Sequence, residues 1–343
     1  MAHTETNSHQ VADGIFDVTI LGGGPTGLFA AFYAGMRGMT CKIIEALPEV
    51  GGQLAVLYPE KVIYDSPGFP EILAKDLAKN LFEQVARWDP MYCLGERALT
   101  LERGLSNGHW LLATDKAEHK TRTLIIAAGI GAFTPNKLPN CPSVEQFEGN
   151  GVHYFVKNKL PFRNKRLLIV GGGDSAVDWA LNLKDYAGTV TLVHRRDEFR
   201  AHESSVVEMR NSPRVAIKVP YELKEVRGDG HIQQAVIFDN RTQVEETLPV
   251  DAILLNLGFK ADIGALKRWG LKTVKQAIRV NHRQETNLPG VYAAGDIAAQ
   301  VDMDPLRLLV TGYGQAAVAA NVAYTFINPN SRVFPGHSSE MKL

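Results

Sequence analysis

Gly22-Gly23-Gly24-Pro25-Thr26-Gly27 decides how this chain folds, because of what stands on either side of it. Before it, Phe16-Asp17-Val18-Thr19-Ile20-Leu21 is a short run rich in apolar and β-branched residues, which predicts a buried parallel strand. After it, Pro25 to Arg37 has helical spacing, with Leu28, Ala31, Phe32 and Met36 on one face and Gly38 as the stop. Thr40-Cys41-Lys42-Ile43-Ile44 predicts a second strand, with Glu45 at its end. In such a strand–turn–helix, Gly22 permits the tight turn, Gly24 lets a pyrophosphate approach the backbone, and Gly27 lets helix and strand pack closely. The helix N-terminus adds free N–H groups and partial positive charge for phosphates, with Thr26 presenting its backbone or hydroxyl.

About 150 residues later the same grammar returns as Gly171-Gly172-Gly173-Asp174-Ser175-Ala176. Arg166 to Val170 predicts the strand, Ser175 to about Tyr186 the helix, Gly188 its break, and Val190-Thr191-Leu192-Val193 the next strand. Ala176 replaces the third glycine, which the fingerprint tolerates. The two copies differ at one decisive point. Glu45 stands 23 residues after the first glycine of the first turn; His194, followed by Arg195 and Arg196, stands 23 residues after that of the second. That offset is where a dinucleotide-binding βαβ unit meets the adenosine ribose. A carboxylate there accepts from free ribose hydroxyls and repels a 2′-phosphate, whereas arginines bind the phosphate through bidentate, charge-assisted bonds. The chain is therefore expected to hold two dinucleotides, FAD at the first turn and NADP(H) at the second.

At 343 residues with 45% hydrophobic content, an α/β protein of two ordinary domains is the prior. Lys and Arg together equal Asp and Glu, 37 each, so no global field favours nucleic acid or an anionic membrane. Met1 to Asp13 is polar, lacks an apolar signal core and reads as a disordered lead-in, so a cytoplasmic location is expected. Leu306 to Ile327 is largely apolar but contains Arg307, Thr311, Gln315 and Asn321, which suits a buried helix of a globular domain better than a membrane span. Cys41, Cys93 and Cys141 lie 52 and 48 residues apart, with no C-x-x-C, and Cys41 reads as a small core residue. The ten histidines form no H-x-x-x-H pair, and no metal is expected.

Leu124 to Gly129 reads as a strand after the first unit, and Ala252 to Gly258 as its counterpart after the second. Gly290-Val291-Tyr292-Ala293-Ala294-Gly295-Asp296 reads as strand, tight turn and carboxylate. The simplest topology is α/β with two Rossmann-like, three-layer domains, the second inserted into the first. Residues 1–128 would begin the FAD domain, 129–257 form the NADPH domain, and 258–343 complete the FAD domain. Crossings near Ala128–Phe133 and Leu257–Lys260 would make a two-stranded hinge. Two sequential domains and a separate C-terminal piece remain the alternative.

Together these residues resemble the low-molecular-weight thioredoxin reductase branch of the two-dinucleotide flavoproteins, over nearly the whole chain from Phe16. Gly51-Gly52-Gln53-Leu54, His194-Arg195-Arg196-Asp197 with Phe199-Arg200-Ala201, and Gly295-Asp296 are its other landmarks. In that branch a redox dithiol follows a Gly-Val-x-Tyr segment. Here Gly151-Val152-His153-Tyr154 is followed by Phe155 and Asn158 where the cysteines would stand. The subfamily without the dithiol that the chain is similar to is the thioredoxin-reductase-like ferredoxin (or flavodoxin)–NADP+ reductase. Its matches are Leu57-Tyr58-Pro59-Glu60-Lys61, His153-Tyr154-Phe155 and Pro335-Gly336-His337-Ser338-Ser339.

The resemblance implies a homodimer, a C-terminal tail within 258–343 that covers the flavin, and an iron–sulfur or flavodoxin partner. It implies hydride transfer between nicotinamide and flavin, with single electrons passed onward and no catalytic protein acid, base or nucleophile. On the FAD side the candidates are Gly22, Gly24, Thr26, Gly27, Glu45, Gln53, Tyr58 stacked on the ring, and Asp296 at the ribityl chain. His337, with Phe334 nearby, is the candidate for the opposite ring face. Ala98, Phe133 and Ser339 are carried by resemblance alone. On the NADPH side they are Gly171, Gly173, Ser175, Arg195, Arg196 and Arg200. Lys157, Lys159, Arg163, Lys165 and Arg166 read either as a solvated loop or as a docking patch for an acidic partner. The rivals are an NADPH-dependent disulfide reductase without an internal dithiol, counted against by Thr26 where such enzymes carry cysteine, and an NADPH-sensing flavoprotein. A flavin monooxygenase lacks its F-x-G-x-x-x-H signature here.

Overall fold

The first glycine turn lies between a strand, Ile15–Leu21, and a helix, Pro25–Met36, followed by a second strand, Cys41–Glu45. This computed structural model describes residues 14–104, 108–301 and 303–340, so the expected lead-in Met1–Asp13 lies outside the described residues. The strands pair in parallel, with Val18 opposite Cys41 and Ile20 opposite Ile43. On its other edge Ile15–Leu21 pairs in parallel with Glu118–Ile126, Ile20 standing opposite Ile125. Met91–Leu94 flanks Cys41–Glu45, and Val291–Ala293 adds in parallel to Glu118–Ile126. Burial alternates as a two-faced sheet requires. Val18, Ile20, Ile43 and Ile125 join a core beneath Pro25–Met36, Ala74–Ala86 and Leu309–Ile327, while Ile44, Leu124 and Ile126 face a second core with Trp110 and Trp269.

Two expectations need correction. The closing strand is longer than Leu124–Gly129 suggested, because its first half alternates exposed Glu118, Lys120 and Arg122 with buried His119 and Thr121. That half pairs antiparallel with Trp110–Thr114, which in turn pairs with Ala98–Arg103. The polar side of a half-buried strand had hidden it from a search for apolar runs. The apolar stretch from Leu306 begins its helix only at Leu309, after Arg307 takes a left-handed φ of 52°. Its buried face carries Gly312, Ala316, Ala319, Ala320 and Ala323, whereas Val310, Gly314 and Val318 are exposed. No helix of the described residues is long and apolar enough to cross a membrane.

The chain forms two compact units. One comprises the residues up to Ala132 together with those from Ala261 onward, and the other is Phe133–Lys260. The second repeats the first's plan. Ala252–Leu255, Arg166–Val170, Thr189–Val193 and Val215–Lys218 lie side by side in parallel, with Val152–His153 at the edge. One face packs on the helices Asp174–Leu183 and Glu203–Asn211 through Trp179, Leu183 and Met209. The other packs on an antiparallel layer, Tyr221–Gly228, Ile232–Asp239 and Glu245–Pro249, through Leu223, Ile237 and Val250. Ala132–Pro135 and Phe259–Asp262 pair with each other where the chain enters and leaves this unit.

Candidate functional site

The two glycine turns are built alike. A Cβ on Gly22 would overlap the carbonyl oxygen of Ala127, and one on Gly171 would overlap that of Asn256, so in each unit the turn is pressed against the residue after or near the end of the closing strand. Their φ values of 111° and 153° belong to glycine as well. Gly27 lies against the Gly22 carbonyl, while fully buried Ala176 stands at its counterpart. Gly24 and Gly173 keep their open sides clear of side chains, as backbone that receives phosphate must.

At the end of the second strand the copies diverge. Glu45 Oε2 accepts from Gly23 N at 2.7 Å and Oε1 from Leu47 N at 2.8 Å. Burial pushes its carboxyl above the ordinary value, against the pull of those backbone bonds. His194 instead packs over Gly172 and against Phe199, its ring 5.4 Å away. Burial first, then Arg195, Arg196 and Arg200, holds its imidazole below the usual value.

Around the first turn, Gly51 N donates to Gly23 O at 2.8 Å, and this contact leads into the short helix Gln53–Val56. Gln53 Nε2 comes close to Gly129, just past the closing strand. Thr26 turns its hydroxyl toward Gly295 and Gly312, where Cβ atoms would collide with it, so only its backbone faces the turn. Gly295 N donates to Gln315 Oε1 at 2.7 Å, and the next residue is Asp296. Burial raises the Asp296 carboxyl, opposed by Arg307, and it makes no hydrogen bond or ion pair among the described residues. The Tyr58 phenol is pushed up to about 12 by burial, then by Asp296 and Asp65, which places tyrosine and carboxylate in one neighbourhood. A half-buried carboxylate without a partner, beside a bare glycine turn, fits a polyhydroxylated cofactor.

Ala98 begins the strand that follows Gly95 and Glu96, whose N–H groups donate to Leu47 O and Glu45 O. Phe133 lies in the strand Ala132–Pro135, and its side chain is outside the described set. Among the described residues no hydrogen bond or ring contact joins His337 or Ser339 to Tyr58. Arg37 fastens the carbonyls of Arg332 and Val333, and His337 then stacks edge-on to Phe334 at 5.2 Å on an exposed tail.

In the second unit a cavity of about 730 Å³ gathers Gly171, Gly173, Arg195, Arg196 and Arg200. Arg200 N donates to Gly172 O at 2.8 Å, which folds the arginine loop back over the turn, and Asn240 Nδ2 holds Arg195 O at 2.9 Å. Ser175 is exposed in the first turn of its helix and does not line the cavity. Lining residues that sequence reasoning missed include Asn136, Tyr221, Glu222 and Asn256. Except for Asn256, which follows a recognisable strand, they come from separate stretches with no motif of their own.

Cys93, Glu96 and His119 bring metal-capable atoms within 4.8 Å of one another. The hydrogen bonds give the cluster another reading. Lys42 Nζ stands 3.0 Å from His119 Nδ1, and His119 Nε2 stands 2.5 Å from Glu96 Oε1, which also accepts from Thr114 Oγ1. With lysine donating to Nδ1, the network assigns a neutral imidazole whose Nε2–H donates to Glu96. Lys42 thereby supplies the cation that a metal would bring.

Fold and paired turns define an oxidoreductase of the two-dinucleotide type. The model of the pyridine nucleotide-disulphide oxidoreductase family matches residues 16–323, and the chain belongs to that family. It is 53% identical to a ferredoxin–NADP reductase of Symbiobacterium thermophilum, covering 96% of this chain and 98% of that protein. It is 52% identical to one of Sulfurisphaera tokodaii, covering 95% and 98%. Among solved structures it is similar to Lactococcus lactis thioredoxin reductase, with a TM-score of 0.75, 28% identity and 92% and 99% of the two chains covered.

Proposed function

We propose that this protein is a ferredoxin–NADP+ reductase, with FAD in the enclosing unit and NADPH in the inserted one. The observation that carries the reading is the missing dithiol. Phe155, in one cysteine's place, stacks on Phe259 at 5.2 Å and 6°, and Asn158, in the other's, accepts from Leu160 N at 2.8 Å. Both positions are taken up by packing and turn formation. The three cysteines are free, and burial pushes each thiol up, away from nucleophilic thiolate. Electrons therefore leave for an external acceptor rather than an internal disulfide, in line with the curated relatives' names.

When bound, FAD supplies the conversion between two-electron hydride and single electrons. The protein's part is placement. Glu45 receives the adenosine ribose, the glycine turn the pyrophosphate, Asp296 and Gln53 the ribityl region, and Tyr58 one ring face. Arg195, Arg196 and Arg200 receive the 2′-phosphate. The acceptor is ferredoxin or flavodoxin, and the working form is a cytoplasmic homodimer, with the exposed Val310–Gly314–Val318 stripe and its apolar approach supporting self-association.

The test is anaerobic reduction of the purified yellow protein by NADPH, followed by reoxidation with ferredoxin, flavodoxin or a low-molecular-weight disulfide. Ferredoxin or flavodoxin should reoxidise it fastest. Faster reoxidation by the disulfide would favour the disulfide reductase, and no turnover with any acceptor a sensor.

A further inference from the structure

The three central strands of the second unit end at one edge of the sheet, in the order Thr189–Val193, Arg166–Val170, Ala252–Leu255. Their last residues are in register, Val170 opposite both Val193 and Leu255. Beyond them stand three different groups: His194-Arg195-Arg196, the glycine turn, and Asn256. Adjacent strands lie about 4.8 Å apart, so the outer two groups are separated by roughly 10 Å with the turn between them. If the arginines take the 2′-phosphate of the adenosine ribose and the turn takes the pyrophosphate, the next group along the dinucleotide is its second ribose. It arrives at Asn256.

Asn256 is prepared for it. The residue lines the cavity, yet its side-chain Oδ1 is buried with no hydrogen-bond partner. Its backbone is fully used: N donates to Val170 O at 2.8 Å, and the carbonyl oxygen lies against Gly171. Only the amide is uncommitted. A half-turn about χ2 exchanges its two ends, and a ribose hydroxyl both donates and accepts, so it satisfies whichever end faces it. The first unit provides an internal comparison. Ala127 occupies the equivalent place, its carbonyl against Gly22 in the same way, so the fold itself needs no amide here.

Resting on the assignment of NADPH to this cavity, we propose that Asn256 binds the nicotinamide-side ribose. Calorimetric titration of the flavin-loaded protein tests this with three ligands: NADP+, 2′-phospho-ADP-ribose, which lacks only the nicotinamide, and adenosine 2′,5′-bisphosphate, which also lacks the second ribose and the phosphate that carries it. Asn256→Ala should weaken the first two about tenfold, the loss of one hydrogen bond in a pocket, and leave the third unchanged. Asn256→Ser, which keeps a hydroxyl, should recover part of the loss. Melting temperature should stay at the wild-type value in both variants. Unchanged affinity for all three ligands, equal weakening of all three, or weakening of NADP+ alone would overturn the proposal. Failure of the wild-type protein to bind the bisphosphate would instead sink the cavity assignment itself.

Discussion

Glu45 and His194 occupy one position in two copies of a motif, and on the proposed reading that single exchange separates FAD from NADPH. Selectivity then rests on the arginines beside His194. Arg195→Ala combined with Arg196→Ala should reduce the NADPH over NADH ratio of kcat/KM at least tenfold, because charge-assisted bonds to the phosphate disappear. An unchanged ratio would remove the 2′-phosphate assignment. At this scale the places of the glycines, Glu45 and the arginines were legible because each stands at a set distance from a turn. Thr26 was half legible. Its position was readable, but the side chain's direction depends on Gly295 and Gly312, more than 250 residues away in sequence. The Lys42–His119–Glu96 relay was illegible for the same reason, being assembled from two separate strands and a loop.

The segment from Lys157 to Arg166 shows how packing edits a charge run. Arg166 pairs with Asp251 through Nη2 at 2.6 Å, leaving Lys157, Lys159, Arg163 and Lys165 without ion pairs among the described residues. Leu160, between them in sequence, is 62% exposed, so the segment carries four cations and an uncovered apolar side chain. A docking patch for an acidic ferredoxin or flavodoxin suits that composition, since opposed charges speed encounter and are screened over about 8 Å at physiological salt. Reversing Lys157 and Lys159 to Glu should lower ferredoxin-dependent kcat/KM and flatten its salt dependence, while NADPH-to-ferricyanide activity stays at the wild-type rate. A parallel fall in both activities, or no change in either, would make the segment a solvated loop. The helix of the C-terminal stretch was misread at its start for a related reason: hydropathy recorded Leu306 and Leu308, and the left-handed turn at Arg307 left them outside.

For the whole molecule, the exposed apolar residues Val301, Met303, Leu306, Leu308, Val310 and Val318 run together along the approach to the last helix and its outer stripe. A second copy of the chain is the proposed cover, as exposed apolar side chains gathered in one segment suit association. Val318→Asp should halve the molar mass measured by light scattering while leaving the flavin bound. A variant that keeps the wild-type mass would place the dimer contact elsewhere.

The enclosing unit is discontinuous, and this shapes how the chain comes off the ribosome. Pro25–Met36 shares its core with Leu309–Ile327, and Glu118–Ile126 takes Val291–Ala293 as its last partner. Phe133–Lys260 is contiguous and has all its strands once residue 260 has emerged. Synthesis at about 5–20 residues per second puts tens of seconds between the two halves of the enclosing core. Throughout that interval the nascent chain carries a helix whose final cover has not been made, beside an inserted unit that is already whole, so the first unit begun is the last to close.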